Sequence, residues 1–372
     1  MIAAAYLLPL FACLVLNVGF HFRGEWSDYL FLFLTGEVVV AALHYTFYYF
    51  RTHAEEYVGS IVKSLHYEAP WTELVPQTVT RRDSRGNTYT TVQIRHVYHP
   101  EKYYFTTTRG SAMATDAGFF YSTVNLWGVS PERCQWVGSR IRGGVRYGLN
   151  ATMPSTVPMM VDDVRWVSVT EPHNYKNKIR NSSSIFKHRR VSRKEAKELG
   201  LYDYPAIVHH DAPAILSKHF PVAPDVFDRW RRFNGYWAPS RQMRVYILLF
   251  KASQGVGIAE MQRAYWQGGN KNEFVICIGL DNNGNVDWAR VFSWADSQQL
   301  EVETADWLVS HGKLDLHAFH SWFVAASGSW KRKEFADFNY LLVPLRLWQI
   351  LTLYAVSIAE NALFIYILLS HH

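Results

Sequence analysis

The residues best suited to chemistry occupy two settings, a polar loop between apolar segments and polar positions inside apolar runs. The loop is Gly268-Gly269-Asn270-Lys271-Asn272-Glu273. Glycines permit close backbone approach, and Asn, Lys and Glu together supply donors, acceptors and both charges. A ligand or partner site is one expectation for this loop, because loops between core elements often carry function. A helix C-cap with a solvated turn is the other. It is not a P-loop, since the GK[ST] ending is missing and the loop follows a helix. The misplaced polar residues are Glu37, His44, Glu360 and Asn361, with Thr35 and Ser357 as potential partners. An ionisable group in lipid is costly, so it faces a partner or water. Hydrogen-bonded glue between helices is one expectation, and a polar path through an oligomer is the other.

Two histidine clusters, His96/His99 and His209-His210-Asp211, are weak metal candidates. Zinc requires three or four converging ligands. Residues three apart on a strand point to opposite faces, so His96 and His99 do not serve one ion jointly. No metal and no cofactor is expected. The chain lacks G-x-S-x-G, HExxH, EF-hand and Rossmann signatures. Its three cysteines, Cys13, Cys134 and Cys277, have no paired spacing, which fits a reducing compartment. The basic-aromatic segments Arg229–Phe233 and Trp330–Phe338 suit membrane-proximal or packing surfaces, and a nucleic-acid partner is not expected.

The elements that position these residues begin with apolar ends. Ile2–Phe20 is nearly uncharged and long enough to cross a bilayer, and Tyr29–Phe50 is a second such run. Together, around the short loop His21–Asp28, they predict a transmembrane hairpin over 1–51. Tyr340–Leu369 predicts a third span within 340–372. A soluble α+β domain of 52–339 lies between. The net charge is +6, and the ends outside Arg51–Arg346 carry one Arg against Glu25, Asp28, Glu37 and Glu360, so the middle is markedly basic. The positive-inside rule then puts the large domain in the cytoplasm of a bacterium, with the lipid bilayer as the first partner.

Within the soluble part, Arg244–Trp294 is the centre. Val245–Phe250 and Phe274–Leu280 are continuous apolar runs joined by Ile258–Gln267, which has helical spacing. Strands apolar throughout are covered on both faces, so the stretch reads as a parallel βαβ unit. Asn283-Gly284 then marks a hairpin into Val286–Trp294. Elsewhere, His53–Leu74 reads as helix, while Thr88–Tyr98 and Lys102–Thr107 read as strands. Gly110–Pro158 reads as loop-rich, Val164–Val169 as a strand and His173–Arg193 as an exposed basic excursion. Ser192–Glu195 is a capping box, Asp211–Pro224 a connector, Asp225–Phe233 a helix and Leu300–Phe323 one helix.

The segments GLYDYP (Gly200–Pro205), YWQGGNKNEFVICIGLD (Tyr265–Asp281) and VFSW (Val291–Trp294) resemble a group of uncharacterised bacterial membrane proteins, also met in mobile elements. That resemblance implies a membrane setting and no particular activity. The order strand, helix, GG-containing loop, strand, hairpin strand resembles the TPM domain, an α/β module tethered to membranes and linked to phosphatase or photosystem-repair roles. The acidic cluster implied for metal-assisted phosphate chemistry has no counterpart here. The reading that joins these features is a membrane-tethered binding or assembly module, homo-oligomeric or bound to a protein partner. A membrane-anchored hydrolase at Gly268–Glu273 and an ion-conducting oligomer using Glu37 and Glu360 are the alternatives.

Overall fold

The computed structural model describes residues 2–19, 25–82, 86–136, 146–156 and 163–371. In chain order, helices α1 (Ile2–Ala5), α2 (Leu8–Leu14) and α3 (Trp26–Thr52) precede strands β1 (His53–Glu68), β2 (Trp71–Arg82), β3 (Thr88–His99), β4 (Lys102–Thr107) and β5 (Ala112–Thr115). Then come α4 (Ala117–Trp127), β6 (Glu132–Trp136), β7 (Arg146–Thr152), β8 (Ser168–Lys176), α5 (Arg193–Glu198), β9 (Ile215–Ser217), α6 (Pro224–Arg232) and α7 (Ala238–Ser240). The chain ends with β10 (Arg244–Lys251), α8 (Gly257–Tyr265), β11 (Glu273–Leu280), β12 (Val286–Ser293), α9 (Gln298–Ser310), α10 (Leu316–Ala326) and α11 (Leu347–His371). The fold is mixed α+β, and it divides into a helical unit (Met1–Glu56, Asn174–Val191, Glu334–His372) and a larger unit (Tyr57–His173, Ser192–Lys333).

The helical unit is built on α3 and α11, among the described residues the two helices long and apolar enough to cross a membrane. They run antiparallel: Leu32 of α3 packs near Phe364 and Leu368, while Leu43 and Phe47 pack near Ile350 and Leu353. The N-terminal segment lies against α3 as a hairpin arm, with Tyr6 bonded to His44 and the Cys13 thiol donating to the Tyr29 carbonyl. The uninterrupted helix expected over Ile2–Phe20 does not form. The segment breaks at Tyr6–Leu7, resumes as α2 and closes as a π-turn over Val15–Gly19, leaving only the shorter apolar helix Leu8–Val18. Pro9 supplies the reason, because it has no N–H and its ring crowds the carbonyl four residues earlier. Phe20 and residues 21–24 of the connecting loop lie outside the described residues.

The larger unit contains the expected βαβ core. β10 and β11 are parallel, with Arg244 opposite Glu273 and Lys251 opposite Leu280, and α8 joins them. β12 returns antiparallel after a turn in which Gly284 takes φ +83° and Asp281 accepts from the Asn283 and Asn285 amides. One sheet face (Val245, Ile247, Phe274, Ile276) packs on Trp230, Phe233, Phe319 and Phe323. Tyr246, Phe250 and Cys277 are buried on the other face, beside the Tyr202 and Trp266 rings. Each large apolar side chain so enclosed contributes about 1.5–3 kcal/mol.

Several expectations are overturned outside this core. His53–Leu74 is not helix: it forms β1 and the start of β2, and β1 is the hub of a sheet ordered β5-β4-β1-β7-β6 with β8 also on β1. Val58, Ile61, Val62 and Leu65 fit helical spacing, but β-branched residues buried between neighbouring strands favour the extended form. Gly110–Pro158 is more ordered than expected. Asp116 caps α4 by accepting from the Phe119 amide at 2.8 Å, and Phe120, Thr123, Val124 and Trp127 form its buried stripe. Gly143-Gly144 falls outside the described residues. The connector Asp211–Pro224 hides β9, which pairs parallel with β10. The segment expected as helix over Leu300–Phe323 is two helices, divided at Gly312 (φ +70°) and restarted by the Asp315 cap. His173–Arg193 is not wholly exposed, since Tyr175, Asn177, Ile179 and Ser182 are buried. The strand expected at Val164–Val169 begins later, at Ser168.

β2 and β3 form a separate two-stranded ribbon, paired from Trp71–His99 at its base to Arg82–Thr88. Twelve residues per strand reach about 40 Å. The base is fastened by the Trp71–His99 stack at 4.2 Å, and by Glu68 accepting from Trp71 and Arg146. Residues 83–85 lie outside the described residues.

Candidate functional site

The loop Gly268–Glu273 opens where α8 ends. Gln267, Gly268 and Gly269 take φ of +56°, +83° and +81°, and the Gly268 amide donates to the Arg263 carbonyl at 2.8 Å. This is the helix C-cap of the two expectations, made with left-handed residues that glycine adopts without strain. Lys271 is half-buried, but the other polar side chains of the loop are not solvated. Asn270 and Asn272 are buried, and Glu273 is only 1% exposed.

Glu273 anchors a polar network inside the larger unit. Its Oε2 accepts from the Asn270 amide at 2.8 Å and its Oε1 from Asn270 Nδ2 at 2.7 Å. The Tyr204 hydroxyl donates to the same Oε1, and Asn270 Nδ2 also reaches the Tyr204 oxygen at 3.0 Å. Tyr204 stands edge-on to Tyr246, with ring centroids 5.9 Å apart. Arg244 Nε donates to the Tyr246 hydroxyl at 2.9 Å, its Nη1 to Thr170 at 3.2 Å and its Nη2 to the Ala212 carbonyl at 2.7 Å. Thr170 donates to Asp211 Oδ1 at 3.2 Å, which ends the chain. Asn272 ties the loop to β1 by donating to the Tyr57 carbonyl at 2.8 Å.

Burial governs the proton affinities of these groups. It pushes the Tyr204 hydroxyl well above its usual range, reinforced by the adjacent Glu273 charge. Burial likewise raises Tyr246 to about 12. Both phenols are therefore neutral donors at ordinary pH. Burial also raises Asp211, against the opposing pull of Arg244. For Arg244 burial opposes the charge, but Tyr246, Asp211 and Tyr204 outweigh it and hold the guanidinium charged. The network keeps a buried cation and buried acids compensated. It occupies the amino ends of β10 and β11, whereas ligands of open α/β sheets sit beyond the carboxyl ends.

Two of the three segments that carry the resemblance meet here. Gln262 brackets Tyr202, accepting from its amide at 2.8 Å and donating to its carbonyl at 3.0 Å. Trp266 donates to the same carbonyl at 2.8 Å, and Tyr265 donates to Asp203 at 2.5 Å. GLYDYP is thus stitched to α8 and its loop across about sixty residues of chain. Sequence reasoning singled out the loop and missed Tyr204, Tyr246, Arg244 and Thr170. Arg244 and Tyr246 had a visible signal, an arginine and a tyrosine two apart in an otherwise apolar strand.

A solvent-accessible groove of about 610 Å³ lies elsewhere in this unit, lined by Arg263, Arg290, Gln298, Glu301 and Asp306. Burial pushes the Glu301 carboxyl up to about 7, opposed by Arg263 and Arg290. Both arginines lean on Glu260, at 3.8 and 3.4 Å. Nothing in the sequence separated Glu301 from other helix-surface acids.

In the helical unit, His44 pairs with the Tyr6 hydroxyl at 2.8 Å. Asn361 is buried and donates to the Ser357 carbonyl at 2.6 Å, one turn back on its own helix. Glu37 is half-buried beside Gly36. Both Glu360 carboxylate oxygens are enclosed without a hydrogen-bond partner among the described residues, and Glu37 and Glu360 do not bond each other. His99 is taken by Glu73 and Trp71, and His210 by Thr115. No group of three metal-ligating side chains occurs among the described residues.

Comparison with protein-family models, curated proteins and solved structures returned no match.

Proposed function

We propose that the chain is an integral membrane protein whose α+β unit is a membrane-tethered binding and assembly module, on the cytoplasmic face of a bacterial inner membrane. The apolar outward faces of the helical unit carry this reading. Phe31, Leu34, Val38, Leu351, Ile358 and Leu363 face outward, while Gly36, Ser357 and Asn361 are buried beside Leu32, Val40 and Leu353 in its packed faces. A water-facing bundle has the opposite arrangement, and hydrocarbon is the solvent that suits this one. Arg51 and Arg346, at the α3 C-terminus and the α11 N-terminus, favour placing that end inside.

The ribbon supports assembly. Val92 and Ile94 are 68% and 61% exposed, on a face shared with Leu74, Pro76 and Tyr98. A lone two-stranded ribbon is marginal in water, so a second copy covering this face stabilises it. The hydrolase reading is less favoured, because Asn270, Asn272 and Glu273 are committed to internal hydrogen bonds. The enclosed Glu360 carboxylate favours a conducting oligomer as the second reading.

Resistance to alkaline carbonate extraction tests the membrane setting, and release into the soluble fraction overturns it. A surface cysteine engineered in the larger unit should resist an impermeant thiol label in intact cells; labelling reverses the orientation. Light scattering in detergent should give an oligomer that Ile94→Asp dissociates, whereas a monomeric wild type rejects assembly.

A further inference from the structure

The end of the helical unit that carries Arg51 and Arg346 also carries an unassigned cavity of about 710 Å³. Tyr48, Lys178, Ser183, Ser184, Tyr340 and Leu342 are among its lining residues. The floor is apolar along Leu341–Pro344, and the polar side is one ammonium with several hydroxyls. Lys178 is half-buried, and its ammonium donates to the Asn339 carbonyl at 2.5 Å.

The surrounding charge is mainly basic, although Glu334 and Asp337 precede the cavity floor in sequence. The segment 174–191 contains Lys176, Lys178, Arg180, Lys187, Arg189 and Arg190 and no acidic residue. Arg190 and Arg346 both stand close enough to Arg51 to repel it. None of Arg51, Lys178, Arg190 and Arg346 forms an ion pair with a carboxylate among the described residues. Packing cations together without counter-charge costs stability unless an anion completes the set.

Beside the cations stand apolar side chains open to solvent, Ile185 at 94% and Leu342 at 85% exposure. Apolar groups flanking a basic band match the boundary between acyl chains and headgroups, where lysine and arginine stems lie along the apolar surface and their heads reach outward. We infer that this cavity binds the phosphodiester headgroup of an anionic phospholipid, with Lys178 and the serine hydroxyls on the phosphate and the Leu341–Pro344 floor along the first part of the acyl chains. The nearby Arg51, Arg190 and Arg346 select an anionic lipid over a zwitterionic one. This rests on the membrane reading above and adds the class of lipid.

The full chain is reconstituted in nanodiscs of phosphatidylcholine mixed with phosphatidylglycerol, and lipids retained after transfer to detergent are identified by native mass spectrometry. Phosphatidylglycerol should be enriched over its share of the mixture, and added salt should reduce the enrichment. Lys178→Ala and Arg346→Gln should each lower it about fivefold, the effect of one cation near a charged headgroup, with Lys178→Arg restoring most of it. Retention in the proportions of the mixture by the wild type overturns the inference even if a variant fails to fold. A free-phosphate site instead gives thermal stabilisation by inorganic phosphate in neutral nanodiscs with no lipid preference, which also overturns it. Failure of the membrane reading is separate: the protein is then released by carbonate and enters no nanodisc.

Discussion

Arg244 and Glu273 are register partners at the amino ends of two adjacent parallel strands, both almost wholly buried, and each is hydrogen-bonded to one of two tyrosines in edge-on ring contact, Arg244 to Tyr246 and Glu273 to Tyr204. Two phenols spread the interaction over neutral donors and leave each charge with several hydrogen bonds. Removing one member uncovers the rest, since a buried polar group without a partner bears its full desolvation cost.

Arg244→Met should therefore destabilise the larger unit by about 3–5 kcal/mol, because Asp211 loses its buried counter-charge. Tyr204→Phe, which deletes one donor to Glu273, should cost about 1–3 kcal/mol. Denaturant titration followed by tryptophan fluorescence measures both. Equal stability of Arg244→Met and wild type would refute the network's structural role.

Glu301 sets a pH dependence. Its folded-state pKa is raised to about 7 by burial. The folded protein thus holds a proton that the unfolded chain has released, and stability falls as pH rises between about 4 and about 7. Glu301→Gln should flatten that slope. It should stabilise by about 1 kcal/mol above roughly pH 8, a figure discounted because the carboxyl partly faces solvent, and change little below about pH 4. Melting curves across the pH range decide it.

Gly36 sets the closeness of the N-terminal hairpin. A Cβ there would sit 2.6 Å from Pro9 Cγ and 2.8 Å from Pro9 Cβ, and a proline ring cannot swing away. Gly36→Leu should force the arm off α3 and cost about 1–3 kcal/mol, read as a lower melting temperature in detergent. An unchanged melting temperature would show that the arm does not pack tightly there.

Glu360 offers the contrasting case. Its carboxylate oxygens are enclosed without a partner among the described residues, so burial is uncompensated. Glu360→Gln should leave the bundle equally or more stable, by up to about 2 kcal/mol. If the same variant abolishes ion flux in proteoliposomes, the conducting reading gains over the tethered module; flux absent from the wild type removes it.

The sequence alone determined the elements whose signal is local. Continuous apolar runs identified β10 and β11, because strands covered on both faces have no polar side to alternate. Asn283-Gly284 marked its turn by backbone conformation, and the long apolar segments marked α3 and α11. The helix α4 carries an equally local signal, with Asp116 as cap, a stripe at 120, 123, 124 and 127, and Gly128 as stop. Tertiary structure decided β1, whose spacing suits a helix until neighbouring strands pair with it. It also decided that the Gly268–Glu273 loop turns inward, since its polarity is the same whether water or Tyr204 and Asn272's partner Tyr57 satisfies it. The network from Glu273 to Asp211 draws on residues 170, 204, 211, 244, 246 and 273, and the cationic cavity on three distant segments. Such sites arise from folding that brings separated residues within hydrogen-bond and Coulomb range, and no local pattern encodes that proximity.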